Sequence, residues 1–219
     1  RNLAVGNRSA LTNQYRMVPE IGEMISKCFY DGRLTTPFPE AFDRSKVPGK
    51  ALKWISTSSS EVRSETKLVS KSYENNLEVD LCQKEVSKLD EFVGKLSLPK
   101  KPHVLVITPY VGQVKRLKEA MLRLNVQHVE LRVETFDAVQ GVEGDYSVVS
   151  LVRSNDRGKL GFIGPDYWRR INVALSRSRY GLTVVGDSTF AASRKGHLAR
   201  VLSYFRENPQ SAEIVKVSN

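Results

Sequence analysis

Four short stretches carry the residue types that could do chemistry. RRINVALSRSR, Arg169–Arg179, places four arginines in eleven residues. A guanidinium stays charged and offers a planar fork to phosphate oxygens. At the terminal phosphate of a nucleotide it stabilises the charge that develops during transfer. NQYRM, Asn13–Met17, sets Arg16 just ahead of a helix that Pro19 can open. ETFDAVQGVEGD, Glu134–Asp145, surrounds Gly141 and Gly144 with polar side chains. The glycines permit positive φ or a close backbone approach. Glu143 could accept a hydrogen bond from a ribose hydroxyl. Thr135 and Gln140 could face two ligands from opposite sides of one turn. TPY, Thr108–Tyr110, has Gln113 one turn later. A threonine hydroxyl at a strand end can bond a backbone phosphate, and a tyrosine ring can stack on an unpaired base for about 1–3 kcal/mol. Taken singly, each stretch also has a plain structural reading: a solvated basic face, a surface arginine, a helix cap at Thr108.

These residues need a frame. Ala51–Ser56, Val104–Thr108, Val129–Thr135, Ser147–Val152 and Leu182–Gly186 read as strands by their β-branched and apolar content. Pro19–Cys28, Glu74–Val93, Val111–Leu124, Trp168–Ser178 and Gly196–Asn208 read as amphipathic helices. Such alternation predicts an α/β domain, a parallel sheet with helices on both faces. Ligands of such sheets sit at the carboxyl ends of the strands, which Thr108–Tyr110, Thr135–Gln140 and Arg153–Asn155 flank. The chain reads as one domain over 1–219, with a loop or insertion region at 35–72 and a C-terminal helix and tail at 188–219. Within the insertion, Ser56–Ser72 is serine-rich and charged and reads as a mobile surface link. Asp90-Glu91 reads as solvated helix face rather than as a magnesium-binding pair.

The bulk composition narrows the partners. The chain has 219 residues with 34 basic and 24 acidic side chains, a net charge of +10, which points to a polyanion. Two cysteines and three scattered histidines form no metal spacing and no disulfide framework. No run of about 18 apolar residues suggests a membrane span, and the first residues lack a signal-peptide core. The absence of an initiator methionine suggests a fragment. The compartment implied is cytoplasmic or nuclear.

In this order, the motifs resemble the second, C-terminal RecA-like domain of superfamily-1B helicases, the up-frameshift-type group. The matching residues are QYRM at Gln14–Met17, FYDGRL at Phe29–Leu34, TPY with Gln113, ETFDAVQGVEGD, RRINVALSRSR and VVGD at Val184–Asp187. The resemblance runs from about Leu11 to Asp187. It implies that ATP with Mg²⁺ binds in a cleft between this domain and an N-terminal RecA-like domain of the same protein. Arg16 and Arg177 match arginines that reach the γ-phosphate, with Arg177 as the finger. Glu143, Gln140, Gly141 and Arg179 fall on the nucleotide side. Thr108, Tyr110, Gln113 and Thr135 fall along a groove for single-stranded DNA or RNA. Val18 and Ser176 depart from residues frequent in the family, and Pro165–Trp168 lengthens the link before the arginine pair. No G-x-x-x-x-G-K-[ST] occurs in the sequence, so the phosphate-holding loop is expected from the partner domain and the fragment alone is expected to be inactive as an ATPase. The competing reading is a degenerate helicase-fold module that grips single strands without ATP-driven work.

Overall fold

The computed structural model describes residues 12–217; Leu11, where the resemblance begins, lies outside them. Continuous apolar runs make the central strands: β1 (Leu52–Ser56), β4 (His103–Thr108), β6 (Gly144–Ser150) and β7 (Ser178–Gly186). β5 (Glu130–Thr135) and β8 (Ala212–Lys216) carry more polar residues and take the two edges. The sheet runs β5-β4-β6-β7-β1-β8, and every pairing is parallel. Strands buried on both faces explain the unbroken valine, leucine and isoleucine runs.

Helices cover both faces. α2 (Asn76–Gly94) and α3 (Val111–Met121) pack on one. α1 (Pro19–Phe29), α4 (Trp168–Leu175) and α6 (His197–Glu207) pack on the other, next to the short α5 (Ser188–Ala191). Pro19 opens α1, and the Asn75 side chain caps α2 by accepting from the Glu78 N–H. Trp54, fully buried, donates its indole N–H to the Gly186 carbonyl at 3.0 Å and locks β1 to β7.

Four expectations need correcting. Residues 212–216, inside the expected tail, form the edge strand β8; its alternating AEIVK pattern becomes a strand only through pairing with β1. α4 ends at Leu175, so Arg177 stands in the link to β7 rather than on a helix. Asp90 is buried and its carboxylate accepts the backbone N–H groups of Gln127, His128 and Val129. It braces the start of β5 and is not solvated. Ser56–Ser72 lies at the surface as expected, but it is tied down rather than loose: Thr57 and Ser60 are buried. Its β2 (Thr66–Lys67) pairs antiparallel with β3 (Tyr73–Glu74), which follows it.

Thr108 pairs with Thr135 at the carboxyl end of β4 and β5, whereas Gly144 precedes Tyr146, the partner of Val104 near the opposite end. Residues 136–143 therefore cross the height of the sheet as a series of turns, pinned by buried Phe136 and Val139. Parallel crossovers ordinarily take a dozen or more residues.

Candidate functional site: two ends of one sheet

The amino ends of β6 and β7 gather the residues that the family resemblance sets on the nucleotide side. Gln14 builds the turn that presents Arg16. Its side-chain oxygen accepts the N–H groups of Arg16 (3.1 Å) and Met17 (2.8 Å), and its amide donates to the Met17 carbonyl (2.9 Å) and to Thr36. Gly22 leaves room for this: a Cβ there would stand 2.6 Å from the Gln14 amide nitrogen. The Val18 N–H then donates to the Arg179 carbonyl at 2.8 Å, which docks the turn on β7.

Arg16 donates from Nη1 to the Ser176 carbonyl at 3.1 Å and pairs through Nη2 with Glu143. Arg177 donates from Nε to the Val173 carbonyl (2.8 Å), from Nη1 to the Val142 carbonyl (3.4 Å) and from Nη2 to the Ser176 hydroxyl (3.2 Å). Both guanidinium groups thus converge on Ser176. The arrangement is strained electrostatically. Burial holds the Arg177 pKa below its ordinary value, and the neighbouring Arg16 charge adds to the effect. Two cations face one carboxylate here, and the side chains of Arg16 and Glu143 are 31% and 59% exposed. The buried Nε of Arg16 has no partner among the described residues. An anion presented at this surface would relieve the repulsion and meet charge-assisted donors.

Gln140 and Gly141 are exposed in the crossover turn, where Gly141 adopts φ +83°. Asp137 of the same turn pairs with Arg170 of α4 at 3.0 Å, fixing turn to helix. Arg179 is exposed at the start of β7, its guanidinium 5.6 Å from the Tyr180 ring. The cluster therefore lies at the amino ends of its strands, the reverse of the expected carboxyl-end placement.

The carboxyl ends hold the second group. Thr135 is half-buried, and its hydroxyl accepts from the Ala138 N–H at 3.2 Å. Thr108 is fully buried, which removes it from the strand-facing set, and its hydroxyl has no partner among the described residues. Tyr110 is buried, and its hydroxyl oxygen accepts the Phe162 N–H. Gln113 must be withdrawn from the strand-facing set. It has no accessible surface, and its amide is spent between Asn75 (2.8 and 3.2 Å) and Ser150 (3.0 Å). It braces α3 against α2 and β6.

Sequence reading noted Arg153 only as part of a polar strand end. Its side chain is 4% exposed, pairs at 3.3 Å with Glu65, itself 5% exposed, and lies 3.9 Å from the centre of the Tyr73 ring. The preceding Val152 adopts φ +70°, a strained conformation for a β-branched residue. Glu78 of α2 holds it there by accepting the Val152 N–H (2.8 Å) and the Ser150 hydroxyl (2.7 Å). Glu78 has no accessible surface, and burial pushes its carboxyl up to about 8. The sequence signal was RSN closing an apolar run; its acidic partner, almost ninety positions earlier, gave none.

Comparison with known proteins adds to this geometry. Residues 3–189 match the protein family described as "AAA domain". The chain is 35% identical over 189 residues to regulator of nonsense transcripts 1 of Dictyostelium discoideum, covering 81% of this chain and 13% of that protein. It is 31% identical over 205 residues to ATP-dependent helicase NAM7 of Saccharomyces cerevisiae, covering 89% of this chain and 20% of the relative. Against the DNA polymerase alpha-associated DNA helicase A of the same yeast it is 31% identical over 198 residues, 81% of this chain and 27% of the relative. The chain thus spans about a quarter or less of the length of these relatives.

Proposed function

The chain belongs to the AAA-domain family of superfamily-1B helicases, and from that premise we propose that it is the C-terminal motor lobe of an ATP-dependent helicase or translocase. The carrying observation is the pair of guanidinium groups, Arg16 and Arg177, meeting at Ser176 beside Glu143. Two partly exposed arginines with a single neighbouring carboxylate fit the polyphosphate of ATP. The lack of G-x-x-x-x-G-K-[ST] in this sequence supports a partner lobe as the holder of the nucleotide and its Mg²⁺. The bound nucleotide would supply the phosphoryl group whose transfer to water releases the free energy for stepping.

On this reading Arg177 places its fork on the γ-phosphate oxygens and stabilises the charge of the transfer. Arg16 exchanges Glu143 for the same phosphate, freeing the Glu143 carboxylate to accept from the ribose. Gln140 and Gly141 let the crossover turn follow that exchange, and Arg179 adds a second basic contact. The carboxyl ends, with Tyr110 and Thr135, border the groove for single-stranded DNA or RNA. Closure of the cleft on nucleotide and its reopening afterwards would move one lobe along the strand. Names of relatives include both a transcript regulator and a DNA helicase, so both strand chemistries are carried forward.

The test is Arg177→Ala in the full-length protein. ATP turnover should fall by roughly 10³-fold while nucleotide-free strand binding persists. A module that only grips strands would lose neither, and that result would sink the motor reading.

A further inference from the structure

A cavity of about 890 Å³ opens beside the carboxyl end of β4, between the β2–β3 hairpin and residues 159–167, within the ~300–1,000 Å³ range of ligand sites. Its floor is a run of touching aromatic rings. Tyr73 lies 5.3 Å from Tyr110, Tyr110 5.2 Å from Phe162 and Phe162 5.1 Å from Tyr167, centre to centre. Tyr73, Phe162 and Tyr167 are only partly buried, so ring surface remains open. Lys71, Lys115, Lys159 and Arg153 line the same cavity, and among the described residues no carboxylate does. The three lysines are exposed and, among the described residues, enter no ion pair.

The hairpin is built to stay over this floor. The Gly112 N–H donates to the Ser72 hydroxyl at 3.0 Å, and a Cβ on Gly112 would stand 2.6 Å from Leu68. Beneath it, the buried Glu65–Arg153 pair ties its root to the end of β6, with Arg153 against Tyr73. Gly161, at φ +56°, has no room for a side chain against the Tyr110 hydroxyl.

From this juxtaposition of edge-on and tilted rings with unpaired lysines we infer that the cavity receives an unstacked base of the single strand, with its flanking phosphates on Lys71, Lys115 and Lys159. Aromatic faces accept any base, and lysines at the rim meet the backbone that carries it. Arg153, paired inward, sets the platform rather than the phosphates. The inference rests on the single-strand reading above and adds to it a subsite that includes the hairpin. It also separates this ligand from ATP, whose γ-phosphate contacts would lie at the opposite end of the sheet.

The experiment uses the full-length protein with oligouridylate and oligothymidylate probes, each with one 2-aminopurine, and with matched probes carrying one abasic position. The parent protein should quench 2-aminopurine on binding. Tyr167→Leu and Phe162→Leu should abolish the quenching and weaken the intact probe by about 5- to 150-fold, with a much smaller effect on the abasic probe. Lys115→Gln with Lys159→Gln, both exposed and safe for folding, should lower the salt slope by about 1.4. Equal losses on intact and abasic probes, or an unchanged salt slope, would overturn the base subsite while leaving strand binding in place. A raised KM for ATP with unchanged strand binding would instead assign the rings to the nucleotide and overturn it too. A parent protein that binds neither probe would refute the single-strand reading itself.

Discussion

The two ends of the sheet hold arginines in opposite ways. At the amino end, Arg16 and Arg177 are partly exposed and crowd each other, and only Arg16 pairs with the open Glu143 carboxylate. At the carboxyl end, Arg153 and Glu65 are sealed, 4% and 5% exposed, under a ring that covers the guanidinium. An arginine kept available for a visiting anion must tolerate repulsion and solvent. One that shapes a platform must be neutralised and buried, because a buried charge without its partner is costly. Residue type alone does not separate these two uses; exposure and pairing do.

The largest effect expected at the open end is on turnover. Arg177→Lys keeps the charge and loses the fork, so it should retain little of the roughly 10³-fold contribution of a finger arginine, measured as steady-state ATP hydrolysis of the full-length protein. Near-parental turnover would show that charge alone suffices there. At the sealed end, Glu65→Ala strands a buried guanidinium and should cost about 3–5 kcal/mol in chemical denaturation. A loss under 1 kcal/mol would mean that Arg153 reaches solvent and that the contrast is false.

Glu78 supplies a pH signature of the sealed end. Its folded pKa, about 8, lies above its ordinary value of 4.5. Between those values the folded state keeps a proton that the unfolded chain has released, so stability falls as pH rises through that window. Glu78→Gln keeps an acceptor for Val152 and should flatten the decline, read as denaturation midpoints at pH 5 and pH 8.5. A parallel decline in the variant would place the titrating group elsewhere. The smallest effect belongs to Glu143→Ala, which breaks an exposed pair and should change stability by about 1 kcal/mol or less. A cost like that of Glu65→Ala would erase the distinction between the two ends.

Most of the sheet was legible because its central strands are continuous apolar runs. β8 was not: five residues of mixed polarity become a strand only when β1 offers its edge. Arg16, Arg177 and Glu143 could be singled out by type and order, and the fold brings them together. Their placement at amino ends was hidden, since a crossover shorter than a helix leaves no periodic trace. Gln113 shows the converse error. Apolar spacing reads Val114, Leu117, Met121 and Leu124 as the inner face of α3, but the buried stripe runs Gln113, Leu117, Ala120, Met121, so the amide takes the inner place that the pattern gave to Val114. The Glu65–Arg153 pair lay beyond reach, because nothing in a serine-rich segment marks which acid will be covered.

The crossover from Phe136 to Glu143 has one further implication. It begins level with Thr135 at one rim of the sheet and delivers Glu143 to Arg16 at the other. With ~3.3–3.6 Å of reach per residue at most, and several of its residues folded into turns, it carries little spare contour. Most surface connections absorb an inserted or deleted residue easily. Here one residue more or less would change the height at which the acid arrives, so segment length, more than the identity of its exposed side chains, is the quantity this connection is built to keep.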